Sequence, residues 1–480
     1  MLCLVVQLLL DRGIGAAGVS ICAPPIPDRA VRRPMAAGEP TVDYRAAARA
    51  PLMLVAGRRD LAVPAKAVFN SAARYQRSTA VTGYLEYPAA CHHTVATAGW
   101  EALADDLLGW VELQLGSAVV DFRAGAWCHL IPLKEVVVAD ILSDLGIALP
   151  VLAAPMSGGP TMPAIVVAAA KVGSVGFLAA GCKTAESLEE QITEVRAERV
   201  VFGVNLFVPK PIPISTRSYR DYARAVQVEA DRYRLTLPGH EPVEDDDGWR
   251  DKVDLITAMS VPWVSFTFGI PDAAVIKALR ASGCTLLQTV TTVAEARRAA
   301  EVGMDALVVQ ASGAGGHSAT FSPERPLPKV GLPDLIAGIR RTVDLPVLAA
   351  GGIGGPADVT AALDAGAVAA MVGTLLLRTD ESAASATHKA ALANPVSSTT
   401  AVTRAFSGRP ARGLRNYFMA RYGPVAPAGY PGVHHLTSPL RKAAADAGNA
   451  QLVHLWAGTG YREARSEPAA DTLQRLANRI

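Results

Sequence analysis

No Cys-x-x-Cys pair occurs in this chain, and its six cysteines, Cys3, Cys22, Cys91, Cys128, Cys182 and Cys284, stand far apart. That spacing offers no zinc-ligand set and no dithiol motif, and it fits a protein of the reducing cytoplasm. Long apolar runs are missing as well. The most apolar stretch, MLCLVVQLLL at the N-terminus, is about ten residues, half of what a membrane-spanning helix needs. It carries no basic flank and no A-x-A-like cleavage site, so neither a signal peptide nor a membrane partner is expected. Neither sign of charge dominates: Lys+Arg 46 against Asp+Glu 44 leaves a net charge of +2, which argues against a nucleic-acid surface. No G-x-x-x-x-G-K-[ST] loop exists, and GAGGHS (313–318) lacks the last glycine of G-x-G-x-x-G. Both common nucleotide fingerprints are therefore excluded.

What the chain does have is length and apolar bulk. With 480 residues, 50% of them hydrophobic, it has material for more than one domain, since single cores stop growing near ~250–300 residues. From about residue 135 onward a rhythm repeats: short apolar strand, Gly- or Pro-marked loop, helix. The strands read as 151–154, 174–178, 200–204, 263–266, 285–287, 306–309, 347–350 and 369–372. Their uniformly apolar character fits strands covered on both faces. A doubly wound sheet competes, but about eight such units over residues 135–480 predict an α/β fold of the (β/α)8 TIM-barrel type. Residues 208–256 form a longer excursion, read as a lid-like insertion or an extra helical segment. Its Asp245, Asp246 and Asp247 read as a solvated turn, not a metal site.

Residues 1–116 are different. Strand patterns at 17–21, 51–56 and 84–87 are followed by Asp60 after the second and by His92 and His93 after the third. An acid and then a histidine in that order match the later members of a Ser–Asp–His series. This segment resembles the C-terminal half of an α/β-hydrolase, with Asp60 on the family's acid and His92 on its histidine. A G-x-S-x-G nucleophile elbow is absent from the whole chain, so the pair has no serine to activate. A partial, inactive hydrolase-like segment is expected, with residues 117–134 as a junction.

Chemistry concentrates after the barrel strands. AAGGIGG (349–355) and MVGT (371–374) follow strands seven and eight, where barrels commonly bind phosphate through backbone N–H groups. Gly351, Gly352, Gly373 and Thr374 are the candidates. ALVVQASGAGGH (306–317) joins a buried strand to a bare glycine loop and to His317, a side chain able to exchange a proton near neutral pH. Pro155, Met156 and Ser157 can lie against a flat ring system, and Asn205 and Gln310 offer amides for its edge. A phosphate anchor without a metal site, beside an amide-lined pocket, points to FMN.

PMSGG, GVNLF, QASGAGGH, AAGGIGG and MVGT also occur in the order found in the nitronate monooxygenase family, formerly 2-nitropropane dioxygenase. The resemblance covers about residues 135–465 and includes the closing stretch NAQLVHLWAGTGY (449–461). It implies an FMN-dependent TIM-barrel enzyme that oxidises alkyl nitronates with O2 to carbonyl compounds and nitrite. By matching motifs, Asn205, Gln310, Gly315 and Gly352 would bind FMN, and Met371, Val372, Gly373 and Thr374 would hold its phosphate end. His317 falls on the catalytic histidine, as a base for neutral nitroalkanes or, protonated, as a holder of the nitronate charge. The sequence departs at Ala311, Ser312 and Gly313, where the family commonly carries Q-G-x-E, and this bears on the substrate side. NAD(P)H-dependent quinone reductases and enoyl-acyl-carrier-protein reductases, which share the barrel and cofactor, are the alternative.

Overall fold

The computed structural model describes residues 18–21, 52–57, 82–87 and 147–478, except 397 and 398. The chain divides into two compact units, residues 1–136 and 137–480. In the first, strands β1 (Gly18–Ile21), β2 (Leu52–Gly57) and β3 (Thr82–Tyr87) pair in parallel in that order. Asp60, His92, the helices expected around them and the 117–134 junction lie outside the described residues.

The second unit is built on a closed barrel. Its strands are β4 (Val151–Ala153), β5 (Gly176–Ala179), β6 (Phe202–Phe207), β7 (Trp263–Thr267), β8 (Thr285–Val290) and β9 (Ala306–Gln310), then β11 (Val347–Ala350) and β12 (Ala369–Val372). All pair in parallel, and β9 pairs with β11 while β12 returns to β4. Outside the barrel, β10 (Gly316–His317), β13 (Thr400–Thr403) and β14 (Ala411–Leu414) form a small antiparallel sheet. Nothing in the sequence pattern announced it, because a two-residue strand has no periodicity to detect.

Helices cover the barrel: α1 (Pro163–Lys171), α2 (Ala185–Ala197), α3 (Thr216–Asp231), α4 (Trp249–Ala258), α5 (Ala273–Ala281), α6 (Val293–Glu301), α7 (Leu332–Arg340) and α8 (Pro356–Asp364). Then come α9 (Ala386–Ala393), α10 (Tyr417–Tyr422), α11 (Gly432–Asp446) and α12 (Ala469–Ala477), the last packing back on α1 and β4. Local chemistry starts several of them. The Thr184 and Thr292 hydroxyls accept from the backbone N–H of Ser187 and Glu295 to cap α2 and α6, and Pro163 opens α1, where no N–H is needed. The barrel interior is solid: Phe177 and Trp263 meet edge to face at 5.9 Å among Leu152, Val308 and Met371. Gly203 makes room for them, since a Cβ there would sit 2.3 Å from the Phe177 ring.

The 208–256 excursion carries two helices, α3 and α4, and Tyr219, Tyr222, Val226 and Ala230 of α3 are buried in a second core with Phe406, Phe418 and Leu436. Its acidic turn is also not simply solvated, because Asp245 pairs with His435 at 2.6 Å and Asp247 with the buried Lys252 at 2.9 Å. Asp247 further accepts the Cys182 N–H. In addition, β6 runs to Phe207 and β9 to Gln310, so Asn205 and Gln310 stand inside their strands and not beyond them.

Candidate active site

His317 is held from outside its own segment. Gly316 and His317 pair with Arg412 and Ala411 of β14, and the next N–H, of Ser318, bonds to Pro410 O. The ring is boxed by Phe268, Tyr430 and Trp456, with centroids at 6.0, 5.8 and 5.5 Å. Its Nε2 lies 2.8 Å from the Ser407 hydroxyl. The same hydroxyl reaches Arg409 O at 3.3 Å, and an Nε2–H donated to Ser407 would leave the lone pair on Nδ1. Replacing Ser407 with alanine is expected to lower kcat/KM about five- to tenfold, the worth of one hydrogen bond near 1 kcal/mol. An unchanged kcat/KM would show that Ser407 does not set the imidazole.

Behind the histidine sits a second brace. The buried Arg409 donates to Thr320 O at 2.6 Å and stacks on Phe268 at 3.8 Å. The Glu295 carboxylate collects Thr291 N–H, Thr320 Oγ–H and Phe321 N–H. Phe268 itself has a φ of +80°, a costly conformation for a bulky residue and one that concentrates at functional sites.

A cavity of about 520 Å3 opens at the C-terminal ends of the strands. Pro155, Met156, Ser157, Asn205, Gln310, Gly315, His317, Gly351, Gly352, Met371, Val372, Gly373 and Thr374 all line it. Three glycine loops interlock along one wall. A Cβ on Gly315 would lie 2.6 Å from Gly458 N, and one on Gly351 would lie 2.7 Å from Ala311 O. Thr459 N–H bonds to Gly313 O, and Gly458 N–H to Thr374 Oγ1. The Thr374 hydroxyl proton is thereby left for a ligand.

Among these cavity-lining residues there is no aspartate or glutamate, whereas Arg441, Lys442 and four histidines are present. The histidines do not add charge. Burial and the nearby Arg409 and Arg441 guanidiniums push His317 down to about 3. Burial and Arg441 push His434 to about 2, and burial takes His388 to about 4 and His454 well below its ordinary value. All four are neutral at pH 7. Arg441 and Lys442 are therefore the cations at the cavity. Because the unfolded chain protonates these histidines near pH 6.5 while the folded one resists, acid favours unfolding. Stability is expected to fall below pH 6.5 by up to about 1.4 kcal/mol per pH unit for each. A thermal midpoint that stays flat between pH 6.5 and 4.5 would contradict this.

With that geometry in view, comparison with known proteins decides the relationship. The family described as Nitronate monooxygenase matches residues 140–478. The chain belongs to the nitronate monooxygenase family. A probable nitronate monooxygenase of Staphylococcus aureus (strain MRSA252) is 37% identical over 345 residues, 70% of this chain and 95% of that one. Among solved structures, a nitroalkane oxidase from Streptomyces ansochromogenes is 45% identical with a TM-score of 0.66, covering 70% of this chain and 97% of its own. FabK from Thermotoga maritima shares the fold at 22% identity and a TM-score of 0.55, over 71% of this chain and 94% of its own.

The residues expected at the site line one cavity, and two of its amides are also engaged within the protein. Gln310 spends its Nε2 on His317 O (3.3 Å) and its Oε1 on Ala319 N–H (2.8 Å), bracing the loop. The Asn205 amide nitrogen turns to Ser265 and Thr267 of β7. Sequence reasoning missed Ser407, Arg409, His434, Arg441 and Trp456. The spacing of His434, Ser438, Arg441 and Ala445, one face of a helix at four-, three- and four-residue steps, was the available signal. Among the described residues no group of His, Cys, Asp and Glu could hold a metal ion, and no helix is long and apolar enough to cross a membrane.

Proposed function

We propose that the second unit binds FMN and oxidises alkyl nitronates with O2 to carbonyl compounds and nitrite. The observation that carries this reading is the composition of the cavity: a glycine cradle at one end, a positioned neutral histidine at the other, and no carboxylate between. A dianionic phosphate and an anionic substrate both suit such a site. A side chain on Gly315 or Gly351 would meet the chain's own backbone, so glycine is what lets these loops close into a cradle of bare N–H groups. Gly351, Gly352, Gly373 and Thr374 would hold the phosphate end, with Met371 and Val372 beneath. Pro155, Met156 and Ser157 would lie against the ring, with Asn205, Gln310 and Gly315 lining the same pocket.

When bound, FMN supplies electron acceptance and reactivity toward O2. The protein's own part is positional and protolytic. His317, uncharged and with its Nε2–H anchored on Ser407, presents Nδ1 as the proton acceptor when the substrate arrives as a neutral nitroalkane. The box of Phe268, Tyr430 and Trp456 excludes water from that transfer. A nitronate, already deprotonated, needs only the binding and orientation.

The test uses purified, flavin-loaded protein. O2 uptake and nitrite release with an alkyl nitronate, and little NADH oxidation with a quinone, are expected. NADH-dependent quinone reduction with no nitronate turnover would overturn the reading in favour of an NAD(P)H oxidoreductase.

A further inference from the structure

Arg441 is a buried cation with only neutral company. It is 6% exposed and lines the cavity. Its Nε donates to Thr437 Oγ1 at 3.0 Å, and one Nη2 proton goes to His434 O at 2.9 Å. The same nitrogen stands 3.4 Å from His434 Nδ1. Among the described residues no carboxylate pairs with it, and Nη1 has no hydrogen-bond partner. Burying an unpaired guanidinium is expensive. Arg475, by contrast, has its acid in Glu467.

Its place in the cavity follows from the rings around it. His434, which Arg441 touches, stacks edge-on with Tyr430 at 6.2 Å, and Tyr430 contacts His317 at 5.8 Å. Arg441 therefore stands on the His317 side. The phosphate cradle is built from other elements, the loops after β11 and β12. The neighbouring Lys442 is exposed and can stay solvated, so it does not share the demand for an anion.

We propose that Arg441 is a substrate-binding residue that takes the oxygens of the nitronate group through its free Nη1 edge, and thereby makes the enzyme favour the nitronate anion over the neutral nitroalkane. Two oxygens on a planar, delocalised anion match a guanidinium edge as a carboxylate does. The interaction also explains the absence of acids in the cavity: a carboxylate would have taken the arginine first. The same charge depresses the protonation of His317, His434 and His454 alike. Burial is the larger cause at all three, and Arg409 adds to it at His317, so Arg441 contributes to a positive potential that a bound anion would offset. This inference rests on the nitronate reading for its substrate, but the anion site itself can be tested without turnover.

The experiment compares wild type, Arg441→Met and Arg441→Lys, all flavin-loaded and checked for an unchanged circular dichroism spectrum. In Arg441→Met, KM for a nitronate is expected to rise roughly a hundredfold, the loss typical of removing one partner of a buried charge pair. KM for the neutral nitroalkane should change less than about threefold, since that substrate brings no full charge. Arg441→Lys, which keeps the charge and loses the fork, should fall between them. Calorimetric titration with sodium nitrate, a planar oxyanion, should show binding to wild type and none to Arg441→Met. Equal losses for charged and neutral substrates, or nitrate binding that survives in Arg441→Met, would overturn the assignment. If Arg441→Met fails to fold, an Arg441→Lys enzyme with unchanged nitronate KM and nitrate affinity would overturn it equally. A wild type that binds nitrate through Arg441 yet oxidises no nitronate would sink the proposed activity and leave the anion site standing.

Discussion

Exchanging His317 for asparagine should leave the protein yellow and its oxidation of neutral nitroalkanes about 10²–10⁴-fold slower, the range spanned by loss of a general base. Asparagine is small enough for the box of Phe268, Tyr430 and Trp456 and can still donate toward Ser407. Flavin content and the thermal midpoint should therefore change little. The discriminating measurement is the same substitution assayed with a preformed nitronate. That substrate has already lost its proton, so the loss should be far smaller. If kcat/KM for the nitroalkane is unchanged, His317 is not the base. If both substrates lose equally, its role is orientation and not proton transfer.

The second large effect concerns the cofactor. Gly315→Ala places a methyl group 2.6 Å from Gly458 N and 2.7 Å from Ala457 C. Both neighbours are backbone, so no side chain can swing aside, and the 457–460 segment has to move. Overpacking of this kind costs about 1–3 kcal/mol, and each 1.4 kcal/mol is tenfold in affinity. We expect the flavin dissociation constant to rise at least about tenfold, read as the flavin-to-protein absorbance ratio after dialysis. Gly355→Ala supplies the contrast, because a Cβ there meets nothing within 4 Å. A Gly315→Ala protein that retains flavin as well as Gly355→Ala would refute the cradle.

Much of the barrel was legible because its strands are mostly apolar and its loops are marked by glycine and proline. The spans read at 347–350 and 369–372 coincide with β11 and β12. The glycine loops and His317 were legible because bare backbone followed by a titratable side chain at a strand end is chemically unusual. Register was harder. Asn205 and Gln310 were placed one or more residues outside their strands, since polar residues in buried strands break the apolar pattern used to find strand ends. Gln310 then turned out to brace its own loop, which no local pattern reveals. Ser407 and Arg409 were illegible for a different reason. Their roles exist only across sequence separations such as the 90 residues between Ser407 and His317, and nothing near either residue encodes that meeting.

That separation also bears on when the enzyme comes into being. Synthesis delivers β4 to β12 first, and domains fold as their chain emerges. Yet His317 takes its register from Ala411 and its hydrogen bond from Ser407, and β14 is in turn bridged to Trp456 through Gly413. The Gly315 loop closes only against Ala457 and Gly458. A nascent chain that has completed all eight barrel strands therefore still lacks the partners that fix His317 and close the Gly315 loop. The candidate site is completed only by residues synthesised after the barrel, between Ser407 and Gly458.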